Sequence, residues 1–269
     1  MAGRLSVVII TKNEESNIRD CIQSVIWADE IIVVDSGSSD RTVDICREFT
    51  DKVFSKEMRG FGAQKQFGVE KASCEWVLVL DADERVSPEL GERLRKILTE
   101  GSGLDGYKIW RKTFYLGRWI RHCGWYAPVV RFFKKGRGVY DMRYVHESIE
   151  ISGLIGEIRE PILHFSYTSI DQHVNKVMTY SNYDALILYE KGVRITPFNQ
   201  MWYLTAKPLL IFVRKYLFMK GSMDGTRGFL ISAFTAFVVF LNYAKLWELQ
   251  INRDRERSLP NTAKADKCI

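Results

Sequence analysis

Three nearly continuous apolar runs, Leu5–Ile10, Ile31–Val34 and Trp76–Leu80, restrict this chain more than any other feature. Successive side chains of a strand point to opposite faces, so a run that is apolar at every position needs cover on both sides. A parallel sheet held between helices supplies that cover. Helix signals fill the intervals. Ile18, Cys21, Ile22, Val25 and Ile26 recur on one helical face. Arg59-Gly60-Phe61-Gly62 opens a helix to about Ala72, and Ser87 with Pro88 starts another that carries Leu90, Leu94, Ile97 and Leu98. With a short strand at Lys52–Ser55, strand and helix alternate four times in the first hundred residues. The expected fold is therefore α/β, with a mostly parallel sheet and flanking helices.

Polar groups gather where these strands end. Thr11, Lys12, Asn13 and Glu14 follow the first, and Asp35-Ser36-Gly37-Ser38-Ser39-Asp40 follows the second, with Ser39 or Asp40 placed to cap a helix through Phe49. Gln64 and Lys65 stand in the first turn of the third helix, where anions are favoured. Asp81 and Asp83 leave the Trp76–Leu80 strand two residues apart and can aim both carboxylates into the crevice beyond it. Mg²⁺ or Mn²⁺ suits such a place, since one or two carboxylates completed by substrate phosphates is its usual arrangement. A solvated turn is the alternative for D-x-D alone. No G-x-G-x-x-G occurs after the first strand, which argues against a dinucleotide-binding domain.

The 269 residues, 46% of them hydrophobic, suffice for one substantial core and an appended subdomain. Five scattered cysteines without C-x-x-C indicate neither a disulfide framework nor a zinc site, and fit a reducing cytoplasm. The apolar run from Leu5 turns polar by Thr11, too short for a signal-peptide core. The net charge of +6 is unevenly spread. Residues 1–100 hold 14 Lys and Arg against 19 Asp and Glu, whereas residues 101–269 hold 25 against 14. The basic part fits an anionic surface or acidic partner, or is an ordinary basic exterior. Nucleic acid is not the expected partner, since no helix-turn-helix, zinc-finger or RNA-binding aromatic pattern is present.

Taken together, TKNEE, VDSGSSD, the G-x-x-x-Q-K helix start and LDADE, in this order and spacing, resemble the family 2 glycosyltransferases of the GT-A fold. The resemblance implies a UDP-sugar donor and inversion at the anomeric carbon. It implies that Thr11 and Glu14, with Asn13 beside them, line the nucleoside pocket and that Asp35 contacts the uracil or ribose. Lys65, with Gln64, lies near the base or diphosphate, Asp81 near the ribose and sugar, and Asp83 binds the metal. A carboxylate is a good acceptor for ribose hydroxyls or the imide N–H.

From Gly106 the texture becomes short, aromatic-rich strands at Tyr107–Tyr115, Val129–Lys134 and Val139–Ile151, with Gly136-Arg137-Gly138 as a hairpin turn between the last two. Trp125 and Tyr126, in the loop between the first two, either stack on an acceptor sugar or pack over the sheet. Inverting transfer needs a base for the acceptor hydroxyl. By resemblance to one subset of the family, Glu147 is that base and His146 orients a group or contacts the diphosphate; other branches carry an E-D pair that this chain lacks. His164 and His173 read as packed or exposed histidines rather than ligands.

A helix is expected from Ile170 to Lys191, with Gly192 as its cap. Met201–Lys220 interleaves aromatics with Lys207, Arg214, Lys215 and Lys220, the composition of a helix lying among lipid headgroups. The uncharged span between Arg227 and Lys245 is near the lower limit of the ~20 residues that cross a hydrocarbon core. Monotopic attachment is the reading, with a buried helical hairpin or one transmembrane helix as alternatives. K-P-L-L-x-F at 207–212 and G-S-M-D-G-T-R-G-F at 221–229 are similar to bacterial lipopolysaccharide-core glycosyltransferases.

The expected organisation is a donor-binding half (1–105), an acceptor-binding half of the same domain (106–192), amphipathic membrane-associating helices (193–251) and a disordered tail (252–269). The expected function is metal-dependent transfer of a hexose, by resemblance glucose, from a UDP-sugar to a lipopolysaccharide inner-core sugar. The protein would sit peripherally on the inner face of the cell membrane, bound to its anionic surface. Polyprenyl phosphate or another lipid-linked saccharide is the alternative acceptor, and a non-catalytic sugar-nucleotide or membrane-surface binding protein the alternative of another class.

Overall fold

The computed structural model describes residues 3–141 and 147–258. It forms two compact units, one ending at Thr168 and one beginning at Ser169. In the first, β1 (Leu5–Thr11), β2 (Glu30–Asp35), β3 (Val53–Ser55) and β4 (Trp76–Asp81) are parallel neighbours in the order β3-β2-β1-β4. The apolar runs are covered on both faces, as their lack of alternation requires. Leu5, Val7 and Ile9 of β1 pack towards α1 (Ile18–Gln23), α2 (Thr42–Arg47) and α4 (Pro88–Glu100). Val8 and Ile10 face the other layer with Val69 and Ala72, at the end of α3 (Phe61–Lys71). Ser87 caps α4 by accepting from Leu90 N at 3.2 Å, and Pro88 occupies its first turn.

Beyond β4 the sheet turns mixed. β8 (Ala127–Lys134) pairs antiparallel with β4 and with β6 (Gly106–Tyr115), on which the two-residue β7 (Arg118–Trp119) folds back. β11 (Ile155–Tyr167) lies parallel to β6 and antiparallel to the short β5 (Glu84–Val86). β11 was not foreseen: its register shifts between Ile158 and Ile162, where Pro161 lacks a donor, and most of its residues are partly exposed. Val139–Ile151 is not one strand. β9 (Gly138–Tyr140) and β10 (Ile149–Ile151) pair with each other, closed by Ser148, whose N and Oγ donate to Asp141 Oδ2 at 3.1 and 2.7 Å. Gly136 consequently links strands of different sheets.

In the second unit α5 (Ile170–Glu190) runs beside α7 (Gly225–Ser258), around a core of Ala185, Ile195, Tyr243 and Leu246. Lys245 Nζ donates to Met178 O, Ser181 Oγ and Asn182 Oδ1, and Asn242 Nδ2 to Asp184 Oδ2. α5 therefore belongs with the following helices rather than with the acceptor-side strands. α6 (Lys207–Val213) is flanked by wider π turns at Trp202–Ala206 and Arg214–Phe218. The G-S-M-D-G-T-R-G segment joins it to α7, and a Cβ on Gly228 would lie 1.8 Å from Gly221 O, so this turn needs glycine. α7 continues to Ser258, past Asn252, where a disordered tail was expected. Cys21, Cys46, Cys74 and Cys123 are buried free thiols.

Candidate active site

Central β1 pairs in parallel with β2 on one side and β4 on the other, so the order in which strands are added reverses at β1 and a crevice opens beyond its carboxyl end. Register brings the polar exits together there. Thr11 lies opposite Asp35, and Ile10 opposite Asp81. The Asp35 carboxylate shapes its own loop, accepting from Gly37 N and Ser38 N at 2.9 Å and from Ser38 Oγ at 2.5 Å. Asn13, at φ 54°, ties the first two exits together: its Oδ1 accepts from Ser39 N at 2.8 Å, and its N donates to Ser38 Oγ. Glu14 accepts from the Asn17 side chain and leads into α1.

The charged centre lies one strand further on. Lys65 Nζ is 3.0 Å from Asp81 Oδ1, as an ion pair without hydrogen-bonding alignment, and 2.5 Å from Glu147 Oε1. Arg131, from β8, donates through Nη2 to Asp81 Oδ2 at 2.6 Å and to Glu84 Oε1 at 2.9 Å. Glu84 is wholly buried and also accepts from Asp81 N. Burial opposes ionisation of Asp81, but Arg131 and Lys65 outweigh it and hold its carboxyl well below the usual range. Burial and Arg131 likewise disfavour the Lys65 charge, while Asp81 and Glu147 more than restore it, leaving its pKa raised.

Asp83 points elsewhere. β5 pairs with β11 so that Glu84 faces His164, and Phe165 N donates to Asp83 O. His164 Nε2 thereby comes within 3.4 Å of Asp83 Oδ2. The Thr113 hydroxyl donates to Trp125 O at 3.2 Å and lies 3.2 Å from His164 Nδ1. Lys65, Arg131 and Arg111 stand against Asp81, Glu84 and Glu147. Asp83 and His164 therefore set a carboxylate oxygen and an imidazole nitrogen side by side, donors of the kind a divalent ion takes. Among the described residues no three His, Cys, Asp or Glu side chains converge at metal-ligand spacing.

Several buried polar atoms in this unit have no hydrogen-bond partner: Thr11 Oγ1, Gln64 Oε1, Arg131 Nε and the Tyr140 hydroxyl. Gln64 Nε2 is engaged by Lys56 O and Glu57 O, which leaves its Oε1 as an acceptor. Orphaned buried groups at a strand-end crevice suit a polar ligand. Trp125 and Tyr126 are half-buried in an aromatic cluster, Trp125 against Tyr115 and Tyr167, Tyr126 against Trp110 and Trp119. His146 lies outside the described residues.

Sequence reasoning missed Arg131, Glu84, Tyr140 and His164 as members of this centre. A lone charge inside the apolar run VVRFF and the glutamate closing LDADE were the available signals for the first two. Nothing local distinguishes Tyr140 or His164.

The glycosyl transferase family 2 model matches residues 6–160. The chain is 31% identical over 259 residues to the lipopolysaccharide core biosynthesis glycosyltransferase LpsC of Rhizobium meliloti, covering 91% of this chain and 92% of that protein. It is 32% identical to the uncharacterized glycosyltransferase RT0209 of Rickettsia typhi, over 92% and 88% of the two chains. Among solved structures, the mannosyltransferase PcManGT of Pyrobaculum calidifontis superposes with a TM-score of 0.51 at 12% identity, over 91% and 87%. The motifs at the strand ends, the GT-A sheet that gathers them and these relatives agree: the chain is a glycosyltransferase and belongs to glycosyl transferase family 2.

Proposed function

We propose that the protein is an inverting hexosyltransferase that moves a hexose, glucose in the first instance, from a UDP-sugar to an inner-core sugar of lipopolysaccharide. The convergence of Lys65, Asp81 and Glu147 beside the Asp83–His164 pair carries the reading. The Rhizobium relative, a lipopolysaccharide core biosynthesis glycosyltransferase, supports the acceptor class. PcManGT, as described, holds GDP-Man and Mn²⁺. Here Thr11, Asn13, Glu14, Asp35 and Gln64 receive the nucleoside, and Asp81 and Lys65 meet the ribose and diphosphate. A Mg²⁺ or Mn²⁺ ion held by Asp83 and His164 supplies Lewis-acid stabilisation of the departing diphosphate. Glu147 accepts the proton of the attacking hydroxyl, opposite the leaving group, while Trp125 and Tyr126 flank the acceptor ring. His146 stays beside Glu147 in this scheme as an orienting residue.

The second unit supports work at a membrane. Met201, Trp202, Leu209, Leu210, Leu217 and Phe218 are exposed, with Phe218 at 78%, and Arg214, Lys215 and Lys220 lie among them, whereas Lys207 Nζ donates to the Tyr243 hydroxyl. An outward apolar face rimmed with cations suits attachment to the anionic inner leaflet. Gly221–Arg253 is also long and apolar enough to cross a membrane. The polar bonds of Asn242 and Lys245 to α5 favour monotopic attachment over spanning.

A thermal-shift screen of nucleotide sugars with Mn²⁺, followed by transfer to a phosphorylated inner-core oligosaccharide, tests the reading. UDP-glucose should stabilise the protein and label the acceptor. Stabilisation by a GDP-sugar alone, or transfer only to polyprenyl phosphate, would overturn the donor or the acceptor.

A further inference from the structure

The carboxylate assigned as base does not hold its own position. Glu147 lies between β9 and β10, two residues before β10 begins, and α3 meets this hairpin at three points spaced along its first turns. Lys65 Nζ reaches Glu147 itself. One residue on, Gln66 Oε1 accepts from Tyr140 N at 3.0 Å, which fixes the end of β9. At Gly62 the backbones touch: a Cβ there would lie 1.8 Å from Asp141 O and 3.3 Å from Glu147 Cβ. No real Cβ contact is that short, so only glycine admits the hairpin at this distance. Gly62 is not in a positive-φ conformation, so it is the close approach that demands glycine. Helix propensity alone would favour alanine here.

We propose that Gly62 and Gln66 are positioning residues that set where the Glu147 carboxylate stands relative to the donor side of the site. The inference rests on Glu147 being the base. Gly62 determines how closely Asp141 and Glu147 approach α3, Gln66 fixes the register of the hairpin against the helix, and Lys65 holds the carboxylate itself. The same helix carries Gln64 and Lys65 of the donor-binding set, so one rigid element references base and donor to each other. Such an arrangement matters because a displacement of about 1 Å in a reacting group is enough to cost roughly 100-fold in rate.

The test compares Gly62→Ala, Gln66→Met, Gln66→Glu and Glu147→Gln in the purified full chain. Turnover, donor KM, UDP affinity by calorimetry and Tm are measured for each. The added methyl forces the hairpin back by roughly 1 Å, so Gly62→Ala should lower kcat by about 100-fold with donor KM within about threefold. Gln66→Met should lower kcat, and Gln66→Glu, which keeps an acceptor for Tyr140 N, should recover most of it. A general loss of structure would instead move kcat, KM and Tm together. Wild-type kcat in Gly62→Ala, while Glu147→Gln is inactive, overturns the positioning role alone. Full turnover in Glu147→Gln overturns the base and the positioning role together.

Discussion

Lys65 Nζ stands 2.5 Å from Glu147 Oε1 and 3.0 Å from Asp81 Oδ1, so one nearly buried cation joins two carboxylates from distant parts of the sequence. Removing it takes the cation from Glu147 and leaves Asp81 with Arg131 alone, and breaking a buried pair in this way costs about 3 kcal/mol. Lys65→Met should show that loss in urea denaturation. The raised Lys65 pKa keeps its contribution until pH climbs above the ordinary lysine value of 10.5, and the depressed Asp81 pKa keeps its own until pH falls below 3.8. The destabilisation should therefore be flat between about pH 5 and 9. A strong pH dependence inside that window would contradict the pairing.

Donor binding should depend on metal through Asp83 and His164. In Asp83→Asn and His164→Ala, Mn²⁺ should no longer strengthen UDP binding, and turnover should fall by about 100-fold or more, the scale of losing one electrostatic stabiliser. Calorimetry with and without EDTA reads the first effect directly. An undiminished Mn²⁺ effect in both variants would remove these residues from the metal site.

A second buried carboxylate serves stability at the far end of the sheet. Glu30 accepts from Lys52 Nζ, Ser6 Oγ, Ser73 Oγ and Ser73 N. Burial alone would raise its pKa, but these donors lower it from 4.5 to about 2. A depressed carboxylate contributes above its unfolded pKa and loses that contribution as pH falls towards the folded value. Glu30→Gln should cost about 2 kcal/mol at pH 7, after allowance for the half-exposed Lys52. The gap from wild type in denaturation midpoints should close between pH 4.5 and about 2.

The outward apolar face of the second unit gives a prediction that is independent of catalysis. Wild-type protein should sediment with anionic vesicles and be released in part by salt, because Arg214, Lys215 and Lys220 are screened while the apolar contacts are not. Leu209→Glu with Phe218→Glu should abolish sedimentation and leave Tm within a few degrees, since both side chains are exposed already. Unchanged sedimentation would place the membrane contact elsewhere.

Much of the donor half was readable from local pattern. The runs at β1, β2 and β4 are apolar at successive positions, and Asp35, Asp81 and Asp83 follow them directly. The acceptor half was less readable. Val139–Ile151 looked like one strand because pairing partners are invisible locally, and β11 was hidden by Pro161 and a half-exposed surface. His164 reads as an ordinary histidine until the β5–β11 register sets it against Asp83.

The sequence by itself determined that a parallel sheet would gather Thr11, Asp35, Lys65, Asp81 and Asp83 at one edge, because strand burial and strand exits are local properties of spacing and polarity. Only the tertiary structure decided which of them work together. Ion pairing depends on distances across the sheet, and these bind Asp81 to Lys65 and Arg131, turn Asp83 towards His164 and, through the close approach at Gly62, bring Glu147 to α3.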